Sequence, residues 1–327
     1  MMRKMTMRGE SWPLARPFTI SRGTKTTAEV VVVEIEENGA HGRGECVPYP
    51  RYGESTESVL ATIAAAAADI EAGLDRSGLR ERLTPGAARN ALDCALWDLD
   101  AKTSGRHVWQ IAAGAAPRPV VTAETIALDT AEAMAAAAQQ LRDRPSLKIK
   151  VGAEDVVERV GAVRAAAPSA RLIVDANEGW DFTLLERIVG MLAALDVDVI
   201  EQPLPAGADD CLRDFPSPVP LCADESCHTA GDIDRLAGAY GMINVKLDKA
   251  GGLTEALRMT AAARERGLRV MVGCMVATSL GIAPAMLLAA DADIVDLDGP
   301  LWLAHDRGPA LKFADGYIFP PEPALWG

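Results

Sequence analysis

From residue 120 onward, short apolar stretches recur about every 25 residues, and most of them end on an ionisable side chain. They occupy residues 120–127, 147–151, 171–175, 197–201, 219–223, 242–246, 269–274 and 293–297, with helical segments between them. Each stretch has strand length, so the repeat reads as eight βα units. Eight such units favour a modified (β/α)8 barrel of the α/β class over a doubly wound sheet. The stretch after Pro300 is too short for an eighth full helix. Its strand-like "ALKFADGYIF" is expected to return to the N-terminal part of the chain.

The first third has a different texture. "TTAEVVVVEIEENGAHGRGE" predicts a β-hairpin turning at Asn38-Gly39, and helical stretches follow at 55–72 and 86–103. The expected organisation is an α+β capping domain over 1–115, the barrel over 116–305 and a returning segment over 306–327.

With 33 Lys+Arg against 46 Asp+Glu, the net charge is −13. That balance disfavours nucleic acid and anionic membranes as partners and points to a small-molecule substrate. It is compatible with an assembly of identical chains. An anionic substrate would need a local cation cluster or a metal ion. The six cysteines include no CxxC pair and read as reduced thiols, and the four histidines show no zinc-ligand spacing. The N-terminus carries no apolar signal region, so a cytoplasmic location is expected.

Barrel enzymes carry their chemistry at the C-terminal strand ends. Here the ends of strands 2 to 6 present Lys150, Asp175, Glu201, Asp224 and Lys246 in register. Asp175, Glu201 and Asp224 lie on neighbouring strands, and three unpaired carboxylates would raise one another's pKa values. A hard divalent cation resolves the repulsion, and all-oxygen ligation favours Mg2+ over zinc; arginines neutralising the cluster are the competing expectation. Strands 2 and 6 face each other, so Lys150 and Lys246 are expected on opposite walls. One would remove a proton from a carbon acid and the other return it to the opposite face. Lys148, on the same strand face as Lys150, would with the metal supply a field that lowers the pKa of the base, and it counts among the expected substrate-binding residues. On strand 8, Asp296 and Asp298 offer an anionic patch for a substrate ammonium. A Schiff-base lysine, as in aldolases and lyases, is the alternative from another enzyme class, but it leaves the carboxylate cluster without purpose.

The motifs KxK, DAN, EQP, ADES and KxxKxGG, with "GECVPYPRYGES", "GAARNALDCALWDL" and "DLDGPLWLA", resemble the enolase superfamily in its muconate lactonizing enzyme subgroup, nearest to the dipeptide epimerases. The resemblance covers nearly the whole chain. It implies Mg2+-dependent epimerisation of L-Ala-D-Glu to L-Ala-L-Glu and related dipeptides, in murein peptide metabolism. Asp175, Glu201 and Asp224 would be the metal ligands, Lys150 and Lys246 the acid/base pair, and Asp296 and Asp298 the holders of the α-ammonium. Loops 20–26 and 48–55 of the capping domain would set specificity. Either Arg22 or Lys25 would bind the glutamyl side-chain carboxylate. N-Acylamino acid racemases and o-succinylbenzoate synthases share the metal and the lysines. Many relatives carry a glutamate after strand 7 where this chain has Ala277, a departure that bears on the shape of the substrate pocket.

Overall fold

The computed structural model describes residues 3–327. An antiparallel sheet of β1 (Lys4–Ile20), β2 (Gly23–Glu37) and β3 (Ala40–Cys46) begins the chain. Asn38 and Gly39 both have positive φ, 53° and 80°. These angles suit a two-residue hairpin turn whose twist matches its strands. The expected hairpin is therefore present. The long β1, which the sequence pattern did not reveal, pairs with β2 from Lys4 opposite Glu36 to Ile20 opposite Gly23. Only one face of β1 is partly covered, so the strand carries charge along its length and shows no apolar run.

Three helices follow, α1 (Thr56–Glu71), α2 (Arg76–Arg82) and α3 (Ala87–Ser104). Ser55 caps α1 in a reciprocal arrangement with Ser58. Helix α3 is buried almost throughout. It packs directly on β3 because Gly42 and Gly44 have no side chain there; a Cβ on either would run into the Ala95 or Ala91 carbonyl. Its polar residues are spent on joining the parts of the chain. Asp93 accepts from Thr254 N at 2.9 Å, Arg89 donates to Ala250 O at 2.6 Å, and Asp98 accepts from Gly327 N at 2.7 Å.

The remaining strands form one parallel eight-stranded sheet in sequential order: β4 (Glu124–Ile126), β5 (Ser146–Lys150), β6 (Arg171–Asp175), β7 (Val197–Glu201), β8 (Leu221–Ala223), β9 (Met242–Val245), β10 (Arg269–Gly273) and β11 (Ile294–Asp296). Ala123 N donates to Val295 O at 2.8 Å, bringing the last strand back beside the first. Inside, Ala123, Ile173, Val199, Cys222, Met242, Met271 and Ile294 make an apolar floor. Side chains two apart on a strand share a face. The residues two further along, Asp175, Glu201, Asp224, Asn244 and Asp296, therefore form a polar layer directly above that floor.

Several expectations need correcting. The first predicted strand is two pieces: Val120–Val121 lies outside the barrel sheet, and only Glu124–Ile126 belongs to it. Helices do not fill every crossover. Long ones follow β4, β5, β6 and β9, but only a 3-10 turn, Asp210–Leu212, follows β7, and a 3-10 turn, Ala230–Asp232, running into a four-residue helix, Ile233–Leu236, follows β8. Pro and Gly crowd 203–220 and leave no amphipathic run there. The strand β12 (Phe313–Ala314) pairs with β13 (Tyr317–Ile318), which in turn pairs with Val120–Val121 rather than with the cap sheet. Contacts to the cap come from Ala304 N on Pro13 O at 2.8 Å and from Trp326 Nε1 on Cys94 O at 3.0 Å. Among the described residues, no helix is long and apolar enough to cross a membrane.

Candidate active site

A cavity of about 890 Å3 lies over the C-terminal end of the barrel. Its walls include Lys148, Lys150, Asp224, Lys246, Asp296 and Asp298 from the barrel, and residues 22–29 and 47–57 from the cap. Burying so many charges is costly unless they pair, and here they pair closely. Lys150 Nζ is 2.5 Å from Asp175 Oδ2, and Lys246 Nζ is 2.7 Å from Asp224 Oδ2. The two lysines stand on β5 and just beyond β9, four strands apart in a barrel of eight.

Lys148 is the hub. Its Nζ lies 3.1 Å from Asp175 Oδ2, 2.7 Å from Glu201 Oε2 and 2.8 Å from Asp296 Oδ2. Its spacing predicts a cation that, with the metal, acts on Lys150. The structure instead shows an ammonium compensated by three carboxylates, whose charges hold its pKa well above the usual lysine value against the effect of burial. Burial likewise opposes the charge on Lys246, and Asp224 outweighs it, leaving that lysine well above its ordinary value. Arginines do not neutralise the cluster. Lysines do.

The three carboxylates are fully buried. Burial, then Asp175, push Glu201 up to about 7. Burial opposes ionisation of Asp224 and Asp175 as well, yet Lys246 and Lys249 hold the first, and Lys150 and Lys148 the second, below the usual carboxylate range. As they stand, no three His, Cys, Asp or Glu side chains among the described residues are gathered tightly enough to hold an ion. The lysine ammoniums occupy the space between them. The donor set nonetheless fits a hard cation. Glu201 Oε2 and Asp224 Oδ1 are buried oxygens whose lysine contacts lack hydrogen-bond geometry.

Three further residues support the carboxylates, and the sequence had given none of them a role. Asn244 Nδ2 holds Glu201 Oε1 at 2.8 Å, in space left by Gly273, where a Cβ would stand 2.5 Å from the Asn244 amide. Gln202 Oε1 accepts from Asp224 N at 2.8 Å and Ser226 N at 3.1 Å. Lys249 Nζ sits 2.5 Å from Asp224 Oδ1 and donates to the carbonyls of Asp224, Cys227 and Asn244. Asn244 could have been found, since it lies two before Lys246 on the same strand face. Gln202 and Lys249 stand within the quoted motifs EQP and KxxKxGG, but the strand-end spacing gives them no role.

At the β11 end, Asp298 Oδ2 accepts from Thr125 N at 2.7 Å and from Trp302 Nε1 at 3.3 Å. Burial and the adjacent Asp296 push Asp298 up to about 6, and Asp296 Oδ1 is buried with no hydrogen-bond partner. In the cap, Arg22 donates to Glu225 Oε1 at 2.8 Å, Asn177 O at 2.7 Å and Tyr49 OH at 3.2 Å. Lys25 lies over the Tyr49 ring, 4.8 Å from its centroid, and makes no ion pair among the described residues. Ala277 is buried beside Gly281 and next to Thr278, whose N–H donates to Glu45 at 2.8 Å.

Residues 132–324 match the family model described as enolase C-terminal domain-like, and residues 2–112 match that of the mandelate racemase / muconate lactonizing enzyme N-terminal domain. The chain belongs to the mandelate racemase / muconate lactonizing enzyme family of the enolase superfamily. Within that family it is 48% identical to the L-Ala-D/L-Glu epimerase of Escherichia coli (strain K12), over 97% of this chain and 99% of that protein. It is 46% identical to an N-acetyl-D-glutamate racemase from Pseudoalteromonas sp, over 91% of this chain and 95% of the relative. Its fold matches, with TM-score 0.97 and 51% identity, that of an enolase family member from Agrobacterium tumefaciens with homology to dipeptide epimerases, solved with sodium and L-Ala-L-Glu. That match covers 99% of this chain and 100% of the other.

Proposed function

We propose that the chain epimerises the glutamyl residue of L-Ala-D/L-Glu and related dipeptides by two-base proton transfer. The carrying observation is the placing of Lys150 and Lys246 on opposite walls of one cavity, with an acid pair at one end and a free lysine near the other. One lysine takes the α-proton and the other delivers a proton to the opposite face, which inverts the carbon. Lys246 can act as a base only when Asp224 is no longer its counter-ion, and the same holds for Lys150 and Asp175. Asp175, Glu201 and Asp224 are the oxygen donors that would hold Mg2+. When bound, the ion supplies positive charge against the negative charge that grows on the substrate carboxylate.

Asp296 and Asp298 are read as the α-ammonium site, supported by the unpartnered Asp296 Oδ1. Of the two cap cations, Lys25 is assigned the glutamyl side-chain carboxylate, because Arg22 is already committed to Glu225 and Glu178. A cytoplasmic enzyme acting on murein-derived dipeptides, with the cap over 1–115 and the barrel over 116–305, completes the reading.

A second substrate has its own support. N-Acetylglutamate is Ala-Glu with a methyl group in place of the aminoethyl group, and one relative is named for that activity. Lys148 already neutralises Asp296 and lowers the demand for a substrate ammonium. Incubating L-Ala-L-Glu and N-acetyl-L-glutamate separately in deuterium oxide with Mg2+ separates the two readings. Deuterium at the glutamyl α-carbon, with kcat/KM at least tenfold higher for the dipeptide, is the expected outcome. Preference for the acetylated amino acid would overturn the dipeptide assignment. Chelation should abolish exchange, and Mg2+ or Mn2+ should restore it; full activity without metal would sink the carboxylate site.

A further inference from the structure

Glu178 takes no part in the proton transfer. It lies just beyond β6 in a turn where Asn177 and Glu178 both have positive φ, 46° and 66°. Two consecutive non-glycine residues in that region cost energy and persist only where surrounding contacts enforce them. The contacts are plain. Glu178 Oε2 and Oε1 accept from Arg51 Nε and Nη2, both at 2.8 Å, and Oε1 also accepts from Ala206 N at 2.8 Å. Arg22 Nη1 reaches Oε2 at 3.2 Å. Arg51 belongs to cap loop 48–55 and Arg22 to cap loop 20–26, while Ala206 lies in the loop after β7.

One buried-side carboxylate thus ties both cap loops to two barrel loops, and the Arg51 pair has the bidentate geometry that gives strong, directional bonds. The two cap loops also touch each other: Arg22 donates to Tyr49 OH, and Tyr49 carries Lys25 on its ring face. The contact path from Glu178 to Lys25 runs through Arg22 and Tyr49, and Arg51, two residues beyond Tyr49, anchors the same cap loop to Glu178.

We infer that Glu178 is a specificity-determining positioning residue: it fixes both cap loops at once, takes Arg22 and Arg51 out of play, and leaves Lys25 as the cation offered to the substrate's distal carboxylate. The inference rests on the proposed dipeptide reading for its last step only. Limited trypsinolysis of the free protein, followed by mass spectrometry, tests the joint latch without reference to any substrate. In Glu178→Gln, cleavage after Lys25 and after Arg51 should both accelerate at least tenfold, with bonds outside the two cap loops unchanged. Acceleration at one loop alone, or at neither, overturns the latch. Should Glu178→Gln loosen the whole chain, Arg51→Met decides: cleavage after Lys25 must still accelerate, and a wild-type rate there refutes the coupling. For turnover, Glu178→Gln should raise KM for L-Ala-L-Glu at least tenfold and lower kcat less than threefold. A loss confined to kcat would place Glu178 in the chemistry and overturn the positioning role. Joint release in a protein that leaves L-Ala-L-Glu untouched would sustain the latch and sink the dipeptide reading.

Discussion

On the proposed reading, a single side chain sets whether this site takes an ammonium. Asp298 is pushed up to about 6 by burial and by Asp296, so it is ionised above that pH and neutral below it. Protonation removes a counter-charge that a free dipeptide needs and an N-acetylated substrate does not. KM for L-Ala-L-Glu should therefore rise about tenfold per unit as pH falls below 6. KM for N-acetyl-L-glutamate should stay level over the same window. Steady-state kinetics from pH 5 to 8 on both substrates check this, and parallel profiles would remove Asp298 from the ammonium site. At the reacting carbon, Lys150→Ala and Lys246→Ala should each abolish epimerisation. Each variant should still exchange the α-proton of one epimer with solvent deuterium, as NMR can record. Retained epimerisation in both would point to other bases. The acids and lysines lining the barrel end all stand in the sequence as strand-end residues. Their pairings do not: spacing cannot show that Lys148 divides itself among three carboxylates, because those partners come from three different strands.

Among the elements, the barrel strands were legible and the connections between them less so. Period-2 alternation survives in a strand whose inner face changes from an apolar floor to a polar rim, as Ile173 to Asp175 and Val199 to Glu201 do. Crossovers lack such a signature when, as after β7, Pro and Gly replace the helical pattern. Helix α3 and the hairpin that contains β3 were both visible, but the contact between them was not. The strand β3 reads "AHGRGEC", and its glycines suggest a weak strand until one sees α3 resting on them. That contact makes a sharp prediction. Gly44→Ala places a methyl group against the Ala91 carbonyl and Ala95 N with backbone on both sides, so nothing flexible can yield. Overpacking of this kind costs roughly 1–3 kcal/mol or more. Urea denaturation should show the loss, and a variant as stable as wild type would mean that the helix and strand can part.

Over the whole molecule, the cap and the barrel are clasped on one side by Arg307. It donates to Glu10 of β1 at 2.8 Å, to Glu45 of β3 at 2.7 Å and to Thr278 beyond β10 at 2.6 Å. Glu45 is fully buried, and burial already pushes its pKa up. Removing the arginine strands that carboxylate, which in other proteins costs about 3–5 kcal/mol. Arg307→Met should lower the unfolding free energy by that order, as urea denaturation would record, and an unchanged midpoint would show that the clasp is idle. On the opposite rim the cap offers its two loops, and the lysines proposed to move protons and the acids proposed to hold the metal all come from later in the chain. On the proposed reading, the loop that offers Lys25 and the lysines that handle the proton are thus written in separate stretches of one gene, while Asp298 and Glu178 add barrel residues to the recognition. Exchanging the first 55 residues for those of a relative with another dipeptide preference would transplant taste without touching the reacting groups, provided the donor's loops still present an arginine to Glu178.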